Sequence, residues 1–297
     1  SPIFLFLPWN KHSIVEPTNV LLRFSYDQLF AQSDAQMTLP SSRPRIAILG
    51  MGKLGRSLSI LLNDAGYSVK EWRRGNTIPS NCEIYWVTAN DSNISEVANL
   101  VDIGPLVIHS SGSLGLECLA PHSNTGSLHP LQSFPGPDVA MPNLDGVYAA
   151  VSGDQEIAPK LSQVASDLGM TPVGVDGDRV IYHAAAVLAG NFATTLLYEA
   201  TEILRKAGIP ADLAPKMLAP LMISSIRQAT NGKIADALTG PISRRDMSTI
   251  SKHIGTLSSQ NLDTRVYRLL AQRSVDMLLR EGKLSIEESV SIIRTLG

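Results

Sequence analysis

One stretch, Arg45-Ile46-Ala47-Ile48-Leu49-Gly50-Met51-Gly52-Lys53-Leu54-Gly55-Arg56-Ser57-Leu58, limits what this chain can fold into more than any other. A short apolar run enters a G-x-G-x-x-G turn and leaves as a helix, predicted from about Gly52 to Ala65. Each glycine has a separate job in such a turn. Gly50 makes the tight bend, Gly52 lets a diphosphate approach the backbone, and Gly55 lets the helix lie against the strand. The helix start adds unpaired N–H groups and the positive end of its dipole. Three spaced glycines alone are weak evidence; the strand before and the helix after give them meaning. Met51, Lys53 and Leu54 lie in the same turn and are candidate nucleotide contacts.

Gly66 ends the helix, and Tyr67 to Trp72 reads as the second strand. A site for NAD carries Asp or Glu at the end of this strand, bonded to the ribose 2′-OH. Here Arg73 and Arg74 stand at the end, with Glu71 just before. A guanidinium binds phosphate oxygens through a fork of donors, which suits the 2′-phosphate of NADP. The expectation is NADP rather than NAD, the plainer alternative being a solvated basic pair.

Glu83–Thr88 and Leu106–His109 read as strands, with a helix from about Ser92 to Val101 between them; their spacing predicts a parallel sheet. Ligands of such sheets lie beyond the carboxyl ends of the strands. That rule puts Thr88, Ala89, Ser110, Ser111 and Gly112 beside the cofactor. Val147–Val151, a helix at Asp154–Leu168 and Thr171–Val175 complete the alternating part. From Asp178 the pattern turns helical, starting with one helix of ~30 residues to Ala207, capped by Asp178 and ended by Gly208. Further helices are predicted at Ala211–Thr230, Ser248–Leu257, Asp263–Glu281 and Ser285–Thr295, the last opened by a capping box, Ser285-Ile286-Glu287-Glu288. Domains are expected at 45–177 and 178–297, with a cleft between them.

The 297 residues exceed one average domain, and 44% hydrophobic with 18% charged residues suits a globular protein with a sizeable core. A net charge of −2 gives no reason to expect nucleic acid or an anionic membrane. Cys82 and Cys118 have no metal-ligand spacing and build no disulfide framework, so no metal and a reducing, cytoplasmic setting are expected. No apolar run reads as the ~20 residues that span a bilayer. The chain starts at Ser1, and Met37 lies where a start would be expected. Residues 1–44 therefore read as an extension, peripheral or disordered, whose removal to Gln36 should leave folding and cofactor binding intact.

Three places carry candidate chemistry. His129 precedes a proline in what reads as a loop after a strand. An imidazole there, with an ordinary pKa of about 6.5, can exchange the proton that accompanies hydride transfer. His183 and Asn191 lie on the long helix, ~12 Å apart along its axis, and can orient two ends of one substrate. Thr239, Gly240, Pro241 and Arg244 form a break between helices, in which Arg244 can pair with a substrate carboxylate. Ser127 and Pro130 flank His129 and are expected to touch substrate.

Gly126-Ser127-Leu128-His129-Pro130-Leu131-Gln132-Ser133-Phe134, Tyr182-His183-Ala184-Ala185-Ala186 with Asn191, and Leu238-Thr239-Gly240-Pro241-Ile242 together resemble one family. It comprises two-domain bacterial-type proteins with a Rossmann-like domain joined to a C-terminal helical domain of unknown function. The resemblance runs from about Arg45 to Leu296. Its architecture is similar to pyrroline-5-carboxylate reductase, ketopantoate reductase and prephenate dehydrogenase. It implies an α/β N-terminal Rossmann domain with a mainly parallel sheet, followed by an all-α C-terminal domain, of 6-phosphogluconate-dehydrogenase type. It also implies an NADP-binding oxidoreductase that forms a homodimer through the helical domain. His129-Pro130 is similar to the His-Pro of prephenate dehydrogenases, whose histidine assists oxidation of the substrate hydroxyl. The family pattern after Gly-Pro ends Arg-Gly-Asp, where this chain has Arg244-Arg245-Asp246.

The function these readings converge on is hydride transfer between NADP and a small carboxylate-bearing carbonyl, imine or hydroxy compound. The competing classes are a non-catalytic NADP sensor or scaffold, and an enzyme using a deazaflavin or another nucleotide at the same turn.

Overall fold

Alternation of apolar side chains along short strands builds the sheet, because successive residues point to opposite faces. In β1 (Ile46–Leu49), Ile46 and Ile48 join one core while Ala47 and Leu49 join the other. β3 (Ile84–Val87) and β4 (Leu106–His109) divide in the same way and are buried throughout. That is the pattern of a parallel sheet covered on both faces. α1 (Lys53–Asp64) and α3 (Ile157–Asp167) cover the first face through Leu58, Leu62, Leu161 and Val164. The short α2 (Ile94–Ala98) covers the second through Ile94 and Val97. The structure is a computed structural model, described over residues 43–175 and 177–297. The expectation for the N-terminal extension lies outside the described residues.

The sheet has seven strands, ordered β2-β1-β3-β4-β5-β6-β7. β2 is Val69–Trp72, β5 Thr125–Pro130, β6 Tyr148–Ser152 and β7 Thr171–Gly174. The first five run parallel, four of them as the spacing predicts; β6 is antiparallel to β5, and β7 is parallel to β6. β5 also corrects the reading of Gly126–Pro130 as a loop. Its register pairs His109, the last residue of β4, with Ser127. β5 therefore runs on past the end of β4, lifting His129 about 7 Å beyond it at strand rise. β6 holds this overshoot from the other side, with Ala150 opposite His129 and Ala149 opposite Pro130.

The long helix divides at Gly190 into α4 (Arg179–Ala189) and α5 (Asn191–Lys206). Asp178 caps it as expected, accepting from the N–H groups of Val180 and Ile181. α6 (Ala214–Thr230), α7 (Met247–Ser259), α8 (Arg265–Arg280) and α9 (Ile286–Leu296) follow, and both halves of the Ser285–Glu288 capping box form. The last three share a core of Ile250, Ile254, Val275, Leu278 and Ile292. In contrast, α4 and α5 bury no residue, and α6 buries Ala214 alone. The expectation about apolar runs needs correction here. Arg179–Lys206 spans 28 residues with a window of mean hydropathy 1.5, long and apolar enough to cross a bilayer, and 0% of that window is buried.

Candidate cofactor and substrate site

The glycine turn has the stereochemistry its spacing predicts. Gly50 sits at φ 121°, and an added Cβ would lie 3.0 Å from the Ala89 nitrogen. On Gly55 an added Cβ would lie 1.9 Å from the Gly50 carbonyl oxygen and 2.7 Å from Thr88 Oγ1. Thr88 donates to that same carbonyl at 2.6 Å, tying the end of β3 to the turn. Gly52 is different: nothing lies within 4 Å of where its Cβ would be. It caps α1 with no side-chain hydrogen bond and no acidic residue in the first turn. The N–H groups there and the open space fit a diphosphate. Met51 and Leu54 are partly buried and pack against the first core. Lys53 lies against Gly136 of the β5–β6 connection, which Asp138 pins to Arg56 at 2.5 Å.

At the end of β2, the three charged residues differ in their engagements. Glu71 accepts from Ser59 Oγ at 2.7 Å, and Arg74 pairs with Glu96 at 3.1 Å. Arg73 is exposed and has no ion pair among the described residues. It is the guanidinium most open to a phosphate.

Past β4 the chain is held by hydroxyls. Ser110 accepts from Trp86 Nε1 at 2.7 Å and donates to the Leu128 carbonyl at 2.9 Å. Ser111 Oγ donates to Asp91 at 2.7 Å and accepts from the N–H groups of Ser113 and Leu114. Both hydroxyls are therefore committed to the loop and not offered to a nucleotide. Gly112 stands at the top of this loop. A Cβ on it would meet His183 Nδ1 at 2.4 Å and His129 Nε2 at 2.9 Å. The two imidazoles thus converge over a position where only glycine leaves room.

His129 and His183 stand edge to face, with centroids 5.9 Å apart. His183 Nδ1 is buried with no hydrogen-bond partner among the described residues. On the other side of its ring, His129 Nδ1 lies 3.1 Å from the Tyr182 hydroxyl. Burial pushes the His129 pKa down to about 4, helped by His183 and Arg179. His109 beneath is also held at about 4, by burial and then by Arg179. Arg179 donates to the Ser111 carbonyl at 3.0 Å and to Ser152 Oγ at 3.2 Å, clamping the start of α4 to the sheet.

His129, His183 and Asn191 line one cavity of about 630 Å³, with Pro130, Gln132, Ser133, Tyr182 and Gly190. The structure thus brings these three together, and the cavity has no Asp, Glu, Lys or Arg in its lining. Ser127 is buried and outside that lining. Thr239, Gly240, Pro241 and Arg244 do not reach it either. Pro241 lines a separate gap of about 320 Å³ between α5 and α8. Their motif is a helix entry: Gly240 sits at φ 96°, Ser243 Oγ donates to its carbonyl, and Asp246 caps α7. Arg245, where the family pattern has glycine, sits at φ 59°, in the left-handed region. Sequence reasoning assigned no role to Tyr182 or Arg179. Their nearness to His183 was the available signal, and the contact across to β5 could not be read from it.

Residues 147–274 match the model of a domain of unknown function, DUF2520. The match takes in β6 and β7 as well as the helices to α8. No curated protein matches the chain. Among solved structures, a protein of Bacteroides fragilis described as an NADP oxidoreductase is 23% identical, with TM-score 0.67 over 78% of this chain and 98% of its own. Protein TM1727 of Thermotoga maritima is also 23% identical, with TM-score 0.61 over 80% and 99%. A reductive aminase of Aspergillus terreus, in complex with NADPH4, cyclohexanone and allyl amine, is 16% identical, with TM-score 0.57 over 86% and 100%. These likenesses establish the fold: a Rossmann-type, mostly parallel sheet followed by helices, as the resemblance implied.

Proposed function

We propose that this chain is an NADP-dependent oxidoreductase acting on a small carbonyl, imine or hydroxy compound. The observation that carries the reading is the convergence of His129 Nε2 and His183 Nδ1 over Gly112, at the strand edge that also ends in the glycine turn. Gly50, Gly52 and Lys53 would cradle the diphosphate, with Gly55 keeping the helix close behind the turn, and Arg73 would take the 2′-phosphate. The likeness to a described NADP oxidoreductase and an NADPH-bound aminase supports that cofactor. When bound, NADPH supplies a hydride to the substrate carbon. His129, a neutral imidazole at pH 7, would offer its Nε2–H as a hydrogen bond to the substrate heteroatom, the proton that completes reduction being drawn from solvent. His183 and Asn191 border the same cavity and orient the substrate.

A carboxylate on the substrate is the finer part of the proposal. Arg244 is not in the cavity lining, so that part rests on the positive field of Arg179 behind Tyr182. A second copy of the chain is proposed to cover α4–α6, where Phe192, Leu221 and Ile226 are 55–63% exposed. Free thiols at Cys82 and Cys118 support a reducing, cytoplasmic compartment.

Titration with NADPH tests the cofactor: at 100 times Kd it should add ~2.7 kcal/mol to stability. A panel of keto acids, imines and hydroxy acids, read at the nicotinamide absorbance, tests turnover. His129→Ala should lower it by roughly 100-fold or more, leaving NADPH affinity intact. Tight NADPH binding with no turnover across the panel would favour a sensor instead. Sedimentation should give twice the 32.0 kDa chain mass; a single-chain mass would sink the second-copy proposal.

A further inference from the structure

We propose that Tyr182 is a positioning residue that sets the tautomer of His129: its phenol O–H donates to Nδ1, so the ring's proton sits on Nε2, aimed over Gly112. The contact is 3.1 Å, with the rings edge to face at 81°. A phenol and a neutral imidazole can pair in two senses, so the direction has to be argued. If Nδ1–H donated to the phenol oxygen, the phenol proton would need an acceptor of its own. Among the described residues the Tyr182 hydroxyl has no other hydrogen-bond partner. The reverse sense gives the phenol proton that acceptor and turns Nε2–H over Gly112, where His183 Nδ1 also lies without a hydrogen-bond partner among the described residues. Arg179 favours the same sense. Its guanidinium carbon lies 5.9 Å from the Tyr182 ring centroid, and a cation beside a phenol strengthens it as a donor.

The groups facing His129 come from several elements: His183 and Arg179 from α4, His109 from β4, and Asp91 ahead of α2. The lone acid among them is committed to Ser111 and Ser113. Asp91 favours an imidazolium, but burial together with His183 and Arg179 outweighs it, so the ring stays neutral, and a neutral ring has one proton to place. Burial raises the Tyr182 pKa, so the phenol keeps its own proton at neutral pH. The consequence for catalysis rests on the proposed function: His129 is a pre-set donor to a substrate heteroatom. The tautomer itself does not depend on that reading.

The test is a long-range ¹H–¹⁵N spectrum of the full chain labelled at histidine, recorded at pH 7 without nicotinamide or substrate. His129→Gln identifies the signal. The wild-type ring should show a bare Nδ1 and a protonated Nε2, and Tyr182→Phe should move it to an exchange average of both tautomers. A wild-type ring protonated at Nδ1 would overturn the proposal whatever the variant does. An unchanged Nε2–H population in Tyr182→Phe would overturn it too. Neither result bears on whether NADPH binds, so the failure of one reading stays distinct from the failure of the other.

Discussion

Ser59 on α1 donates its hydroxyl to Glu71 Oε1 at 2.7 Å, holding the acid of β2 against the helix. Two residues on, Arg73 has no such tether. This asymmetry points the ribose end of the site toward a phosphate. Arg73→Ala should weaken NADPH binding by about 10- to 100-fold, the worth of one charge-assisted hydrogen bond, and leave NADH binding unchanged. Arg74→Ala should cost less, because Glu96 already engages that side chain. Fluorescence titration with both nucleotides checks the pair. Equal losses for NADH and NADPH would refute the assignment.

Gly52 and Gly55 should respond oppositely to the same change. On Gly55 a methyl meets backbone at 1.9 Å, which cannot give way. Gly55→Ala should therefore destabilise the fold by about 3 kcal/mol, lowering Tm by roughly 5–10 °C. On Gly52 the methyl enters open space, so Tm should hold while NADPH affinity falls. Calorimetry and titration on the two variants separate the structural glycine from the binding one.

Buried histidines give stability a direction in pH. His109 and His129 both titrate at about 4 in the fold, against about 6.5 when unfolded. The unfolded chain thus binds more protons between these values, so stability falls as pH drops from about 6.5 toward 4, and is level above 7. Each histidine contributes on the order of 3 kcal/mol to that fall. Urea unfolding of wild type and His129→Gln at pH 7 and pH 4.5 should show a shallower decline in the variant. Parallel declines would refute the shift.

Arg245 tests the helix entry before α7. In its left-handed conformation it donates to Glu288 at 2.5 Å and to the Lys283 carbonyl at 2.8 Å. Arg245→Ala keeps the strained φ and loses these bonds, so about 1 kcal/mol of stability should go. Arg245→Gly loses the same bonds but relieves the strain, and should lie within ~0.5 kcal/mol of wild type. Denaturant midpoints of the two variants decide it. Alanine and glycine behaving alike would show that φ costs nothing there.

The turn was legible because Gly50 and Gly55 answer to steric demands, and the parallel sheet because short apolar strands alternate with helices. His129 was found as a residue but not as part of a strand. Pro130 reads as a break, yet β4 has already ended beside it, so its missing N–H interrupts no β4 ladder. The Gly240-Pro241 motif misled in the other direction. A recurring turn with an arginine looks like a binding loop, whereas Gly240, Ser243 and Asp246 spend it on starting α7. Tyr182 and Arg179 meet the sheet through contacts across dozens of residues. Nothing in helical periodicity records such contacts. The uncovered α4–α6 surface was hidden for the same reason: an apolar stripe announces burial without saying against what.

The extension of β5 past β4 means that the imidazole of His129 rides on paired backbone, laced to β6 through Ala149 and Ala150. Its companions Tyr182 and His183 ride on α4. Any swing of that helix would exchange the company around the ring while leaving the ring in place.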